Sequence, residues 1–104
     1  MRDPKLSYSA ALVLQAVSAG YKYGFDIMDV TGLPSGTVYP ALRRLEQQEL
    51  IRSSWETEQT AFADHRPARK YYKLTREGQE TLRNAVHRYS LLERLSGAEK
   101  SKRL

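Results

Sequence analysis

Two segments of the chain hold the residues whose chemistry stands out. The first runs from Pro34 to Gln48. Its apolar residues Val38, Ala41, Leu42 and Leu45 recur at helical spacing, and Thr37, Pro40, Arg43, Arg44 and Gln47 fall on the opposite face. Arginine can pair with guanine through two hydrogen bonds or clamp a phosphate, and glutamine can pair with adenine. The hydroxyls of Thr37 and Tyr39 suit phosphate oxygens. The second segment crowds His65, Arg66, Arg69, Lys70, Lys73 and Arg76 together, opposed only by Asp64 and Glu77. A basic ribbon tip can reach phosphates or a minor groove. Taken alone, the first segment also fits an amphipathic helix whose Arg43 and Arg44 are balanced by Glu46 and Glu49. The second, taken alone, also fits a solvated hairpin. It is the second sitting where a wing should be that favours a nucleic-acid surface.

Other chemistries find no residues to carry them. The chain has no cysteine, which removes disulfides, thiolate nucleophiles and Cys-based zinc sites. His65 and His87 fall on different elements with no acid at metal spacing, so no metal or other cofactor is expected. No Ser-His-Asp order and no phosphate-cradling glycine loop is present, and the chain does not read as an enzyme. Glu56 and Glu58 alternate on a strand and read as solvated. Trp55, the one tryptophan, reads as a strand residue packing on the core or on a partner's helix. Tyr71 and Tyr72 alternate, so one should face in and the other out.

At 104 residues the chain has room for one core. It carries 17 Lys and Arg against 12 Asp and Glu, a net charge of +5 that favours an anionic partner. No stretch approaches the roughly 18 apolar residues of a membrane span. Arg2 and Lys5 before the apolar run Ala10–Val17 resemble a signal peptide, but Asp3 and Gln15 interrupt both of its parts. The expected location is cytoplasmic, with no membrane partner.

The elements that must position these side chains follow from periodicity. A helix from about Ser7 to Ala19, capped by Ser7, carries Ala10, Val13, Leu14 and Val17 on one face and Leu12 nearly opposite. A helix apolar on two sides needs cover on two sides, and a second subunit is the expected second cover. Further helices are predicted over about Tyr23–Val30 and from Pro34 or Gly36 to Gln48, separated by a break at Gly32 and Pro34. Pro40 is tolerated because the residue its ring would crowd is Gly36; alternatively the helix begins at Pro40. A strand from Ile51 to about Glu58, a polar loop Thr57–Ala68 and a return strand Arg69–Leu74 come next. Thr75 caps a last helix to about Leu95, with the stripe Leu82, Ala85, Val86, Tyr89 and Leu92, and that helix needs something to lie on. The fold class is therefore mainly α with a two-stranded β wing: a winged helix-turn-helix over 1–74, a C-terminal helix over 75–96, to which the resemblance below assigns dimerisation, and a flexible tail over 97–104.

Three motifs in this order resemble one family. Gly36-Thr37-Val38-Tyr39-Pro40-Ala41-Leu42-Arg43-Arg44-Leu45-Glu46 with Leu50-Ile51 resembles the recognition-helix signature of PadR-type transcriptional regulators. Arg66-Pro67-Ala68-Arg69-Lys70-Tyr71-Tyr72-Lys73-Leu74-Thr75 resembles their wing and return strand, and Tyr23-Gly24-Phe25-Asp26-Ile27 the start of their second helix. The resemblance spans about Leu6 to Leu82 and is to the compact branch, with a single C-terminal helix. It implies a homodimeric repressor on a palindromic operator in double-stranded DNA. By position it implies DNA contacts from Thr37, Tyr39, Arg43, Arg44, Arg66, Arg69 and Lys70. Dimerisation falls to Leu12, Leu82, Val86, Tyr89 and Leu92. A small-molecule effector at the dimer interface could release DNA. The alternatives are a winged-helix protein-interaction module and a non-specific nucleic-acid binder. The chain departs from the family in having no glycine between Thr57 and Lys70, where family wings are often glycine-rich.

Overall fold

The computed structural model describes residues 6–102, with side chains as far as Tyr89. The element order is α1 (Tyr8–Ser18), α2 (Gly24–Thr31), α3 (Ser35–Gln47), β1 (Ile51–Trp55), α4 (Glu58–Ala63), β2 (Lys70–Leu74) and α5 (Arg76–Lys102). Three helices followed by a two-stranded antiparallel ribbon form a winged helix, as the hydrophobic spacing predicts.

Helix α1 starts where the Ser7 hydroxyl accepts a hydrogen bond from the Ala10 amide at 3.1 Å. It is buried on almost every side through Ala10, Ala11, Val13, Leu14, Ala16 and Val17. Its cover comes from its own chain: α1 packs against α2, α3, β2 and α5. Part of the cover expected from a second subunit therefore comes from the same chain. Helix α5 supplies that cover, seating Leu82 and Ala85 in the core with α1, and α1 is what the last helix lies on. Leu12 keeps part of its surface, as do Tyr8 and Gln15 along the same face.

Helix α2 ends at Gly32, whose amide closes the last turn on the Met28 carbonyl at 2.9 Å and whose φ of 74° then turns the chain out of the helix. Helix α3 begins at Ser35, so Pro40 lies inside it rather than starting it. Val38, Ala41, Leu42 and Leu45 are buried and anchor α3 to the core. The register of the ribbon pairs Ile51 with Leu74 and Trp55 with Lys70. A single bridge between Tyr23 and Tyr71 ties the start of α2 to the outer side of β2. Tyr72 is buried and Tyr71 half-exposed, the alternation expected of the strand.

The segment read as a polar loop contains α4, which Thr57 caps by accepting from the Thr60 amide at 3.1 Å. Its reversal without glycine is made by His65, a non-glycine residue at φ 57°. The His65 and Arg66 amides then satisfy the carbonyls of Phe62 and Ala61. Thr75 opens α5 by accepting from the Gly78 amide at 2.9 Å while donating to the Glu49 carbonyl at 2.8 Å. A side chain on Gly78 would strike the Leu50 carbonyl, which explains a glycine in the first turns of a helix. Helix α5 passes the expected end at Leu95 and continues to Lys102, so the segment from Gly97 is helical to that point. Positions 103 and 104, the end of the expected tail, lie outside the described residues.

Candidate nucleic-acid interface

The buried stripe of α3 fixes which of its side chains face away from the core. Arg43, Arg44 and Gln47 are exposed, Tyr39 is 41% exposed and Thr37 is half-buried. Among the described residues no ion pair engages Arg43 or Arg44. Glu46, expected to balance them, accepts instead from the Ser53 hydroxyl. The arginine charge of α3 is thus directed outward and not consumed on the helix surface.

Tyr39 and Arg43 from α3 line one cleft with Arg69 and Lys70 from the wing. Phe25 and Trp55 supply aromatic walls. Tyr39 lies against Gly24, where any larger residue would meet its ring. Lys70 Nζ stands 5.9 Å from the centre of the Trp55 ring, and the Arg69 guanidinium sits 4.0 Å over Tyr23. Thr37 and Arg44 lie on α3 outside this lining. The cleft can hold a polyanion between two basic walls, with aromatic faces and the Glu46 carboxylate beside it.

Trp55 is 65% exposed, so it does not pack on the core of its own chain as expected. Arg66 has partners within its own chain. Its guanidinium grips Glu56 with both terminal nitrogens, Nη2 to Oε2 at 3.1 Å, and reaches Asp64 at 3.0 Å. It is spent within the wing rather than offered to solvent. Glu56, read from the sequence as solvated, is a buried acceptor whose side chain is only 6% exposed. The hydrogen bond from Arg66, with further ones from Tyr23 and the Arg69 amide, holds its carboxyl down to about 2 against the opposing effect of burial. The same contact raises the Arg66 guanidinium further above its ordinary value. Tyr23 is raised as well, first by its hydrogen bond to Glu56 and then by burial. Burial, with Glu46 nearby, raises Tyr72. A signal for Glu56 was present in the pairing: beyond Trp55 and Lys70 the next opposed pair is Glu56 and Arg69.

The expected dimer residues fall in two groups. Leu82 is buried in the chain's own core, and Tyr89 is held there by donating to the Leu6 carbonyl at 2.6 Å and by edge-to-face contact with Tyr8. Leu12 and the 39%-exposed Val86 line a shallow groove between α1 and α5. The side chain of Leu92 lies outside the described residues.

A helix-turn-helix whose second helix shares a basic cleft with a β wing defines the winged-helix class of DNA-binding regulators. The chain belongs to the PadR-like family of transcriptional regulators, whose sequence model matches residues 13–84. That family consists of regulators, not enzymes. The chain is similar in structure to a PadR family transcription regulator from hypervirulent Clostridium difficile R20291. They share 28% identity at a TM-score of 0.70, over 88% of this chain and 97% of that one. It is also similar to a PadR family regulator from Eggerthella lenta, with 29% identity, a TM-score of 0.61 and coverage of 86% and 80%. The S. aureus MepR–DNA complex shares the fold alone, at 20% identity, a TM-score of 0.68 and coverage of 89% and 63%. No curated protein matches the chain. Among the described residues no helix is long and apolar enough to cross a membrane.

Proposed function

We propose that the chain is a cytoplasmic, sequence-specific transcriptional repressor that binds a palindromic operator as a homodimer. The observation that carries the reading is the cleft that joins Tyr39 and Arg43 of α3 to Arg69 and Lys70 of the wing. In a winged helix-turn-helix the second helix of the pair enters the major groove. Thr37, Arg43 and Arg44 then face base edges, where arginine discriminates guanine by two hydrogen bonds. Tyr39, Arg69 and Lys70 meet phosphates and set register and affinity. Helix α5 and the Leu12–Val86 groove supply the dimer contact, and two copies of α3 would enter grooves about one helical turn apart. A small-molecule effector at that contact would act by favouring a different spacing of the two helices.

The test is fluorescence anisotropy of the purified protein on duplex DNA from its own upstream region, with scrambled competitor and a salt series. Binding should resist competitor and weaken steeply with salt. Arg43→Ala should lower affinity by about 1–3 kcal/mol and relax the base preference. No affinity for any duplex at low salt would overturn the reading in favour of a protein-interaction module. Equal affinity for scrambled duplex and for every member of a random library would make it a non-specific binder.

A further inference from the structure

Glu56 stands where three segments of the chain converge. Its Oε1 accepts from Arg66 Nη1 and from the Arg69 amide at 3.0 Å. Its Oε2 accepts from the Tyr23 hydroxyl at 2.8 Å and from Arg66 Nη2 at 3.1 Å. A carboxylate has about four acceptor positions, and all are taken. One donor comes from the start of α2, two from the turn after α4 and one from the approach to β2. Arg66 closes that turn by bonding Asp64 and the Pro67 carbonyl as well. Arg69 is held from both ends, with its amide on Glu56 and its guanidinium over Tyr23, its Nε 3.9 Å from Glu56 Oε2.

We infer that Glu56 is a positioning residue for the wing and that Arg66 acts through it, not on DNA. The pair aims Arg69 and Lys70 into the cleft opposite α3. This rests on the DNA-binding reading above. The geometry supplies the reasoning. A carboxylate close to a phosphate surface repels it unless a cation covers the charge, and Arg66 covers it with two parallel hydrogen bonds. Lysine offers the charge but not the planar fork.

The two roles for Arg66 predict opposite results. A phosphate contact would survive Arg66→Lys, and freeing Arg66 by Glu56→Gln would leave binding unchanged or tighter. A positioning pair predicts that Glu56→Gln and Arg66→Lys each weaken operator binding about tenfold. Each should also lower the salt slope by about 1–2, because Arg69 and Lys70 both lose their aim. Glu56→Gln combined with Arg66→Lys should be no worse than the weaker single variant. A variant that merely loses folded protein changes the active fraction and not the slope, and circular dichroism reports that fraction. If Glu56→Gln does not fold, Arg66→Lys carries the test. Unchanged affinity and slope in the folded variants, with wild-type binding intact, would overturn this inference alone. Failure of the wild type to bind DNA would overturn the reading beneath it.

Discussion

Gly24→Ala tests the cleft without touching a charge. The glycine opens α2 with an ordinary backbone angle, so space and not conformational freedom requires it. A Cβ there would stand 2.5 Å from Cε1 and 2.6 Å from Cζ of Tyr39, and nearest of all to its hydroxyl. Carbon atoms settle at about 3.5–4.0 Å, so the ring must withdraw by about 1 Å or more. Tyr39 is 41% exposed on the rim of the cleft and can swing outward rather than force the core apart. Fold stability should therefore change little, since alanine regains up to about 1 kcal/mol of helix propensity. DNA affinity should fall by the worth of one hydrogen bond, about 0.5–1.5 kcal/mol or roughly 2- to 13-fold. Anisotropy on the operator would read the loss, and a thermal melt the stability. Gly24→Ala should have no further effect in a Tyr39→Ala background, because the ring it displaces is gone. Full affinity in Gly24→Ala while Tyr39→Ala is impaired would refute this account of Tyr39's seat. So would an equal loss from Gly24→Ala in both backgrounds.

Trp55, the sole tryptophan, is exposed beside Lys70 in the cleft, so its fluorescence should change on adding operator DNA and stay constant with unrelated anions at matched ionic strength. Val86→Asp should dissociate the proposed dimer in sedimentation velocity while leaving the circular dichroism spectrum intact. Leu82→Ala should instead lower the melting temperature, by about 2–5 kcal/mol of stability, because Leu82 belongs to the core of its own chain. The Glu56 carboxyl lies at about 2, below its ordinary 4.5. The stability it contributes is therefore complete above about pH 4.5 and is lost as the pH falls through about 2. Melts of the wild type and of Glu56→Gln should converge over that window and stay separate above it.

The order of helices and strands was legible because each apolar stripe has one period and the breaks on either side of α2 have a glycine or proline to make them. The α3 stripe and the outward Arg43 and Arg44 follow from that spacing alone. Helix α4 was not legible: six residues with one buried alanine present no stripe, and only the Thr57 cap marks it. Glu56 was misread as solvated for a related reason, and its pairing with Arg66 was not legible. Alternation says which face of a strand a residue takes but not where the strand stops. Glu56 lies one residue past β1, where the partner facing it is decided by the fold of the wing. The two-sided apolar face of α1 correctly demanded two covers, yet periodicity cannot say whether the second belongs to the same chain.

The junction at Thr75 and Gly78 gives α5 no slack. Its first turn is fastened to the Glu49 carbonyl and pressed on the backbone of Leu50, directly after the end of α3. A helix of 27 residues is about 40 Å long, so a 10° tilt at this joint sweeps its far end by about 7 Å. The reverse holds as well: a displacement at the far end returns to the joint geared down in distance and up in force. Because there is no flexible linker to absorb it, a displacement of α5, such as a changed crossing in the proposed dimer, becomes a small, definite rotation of α3.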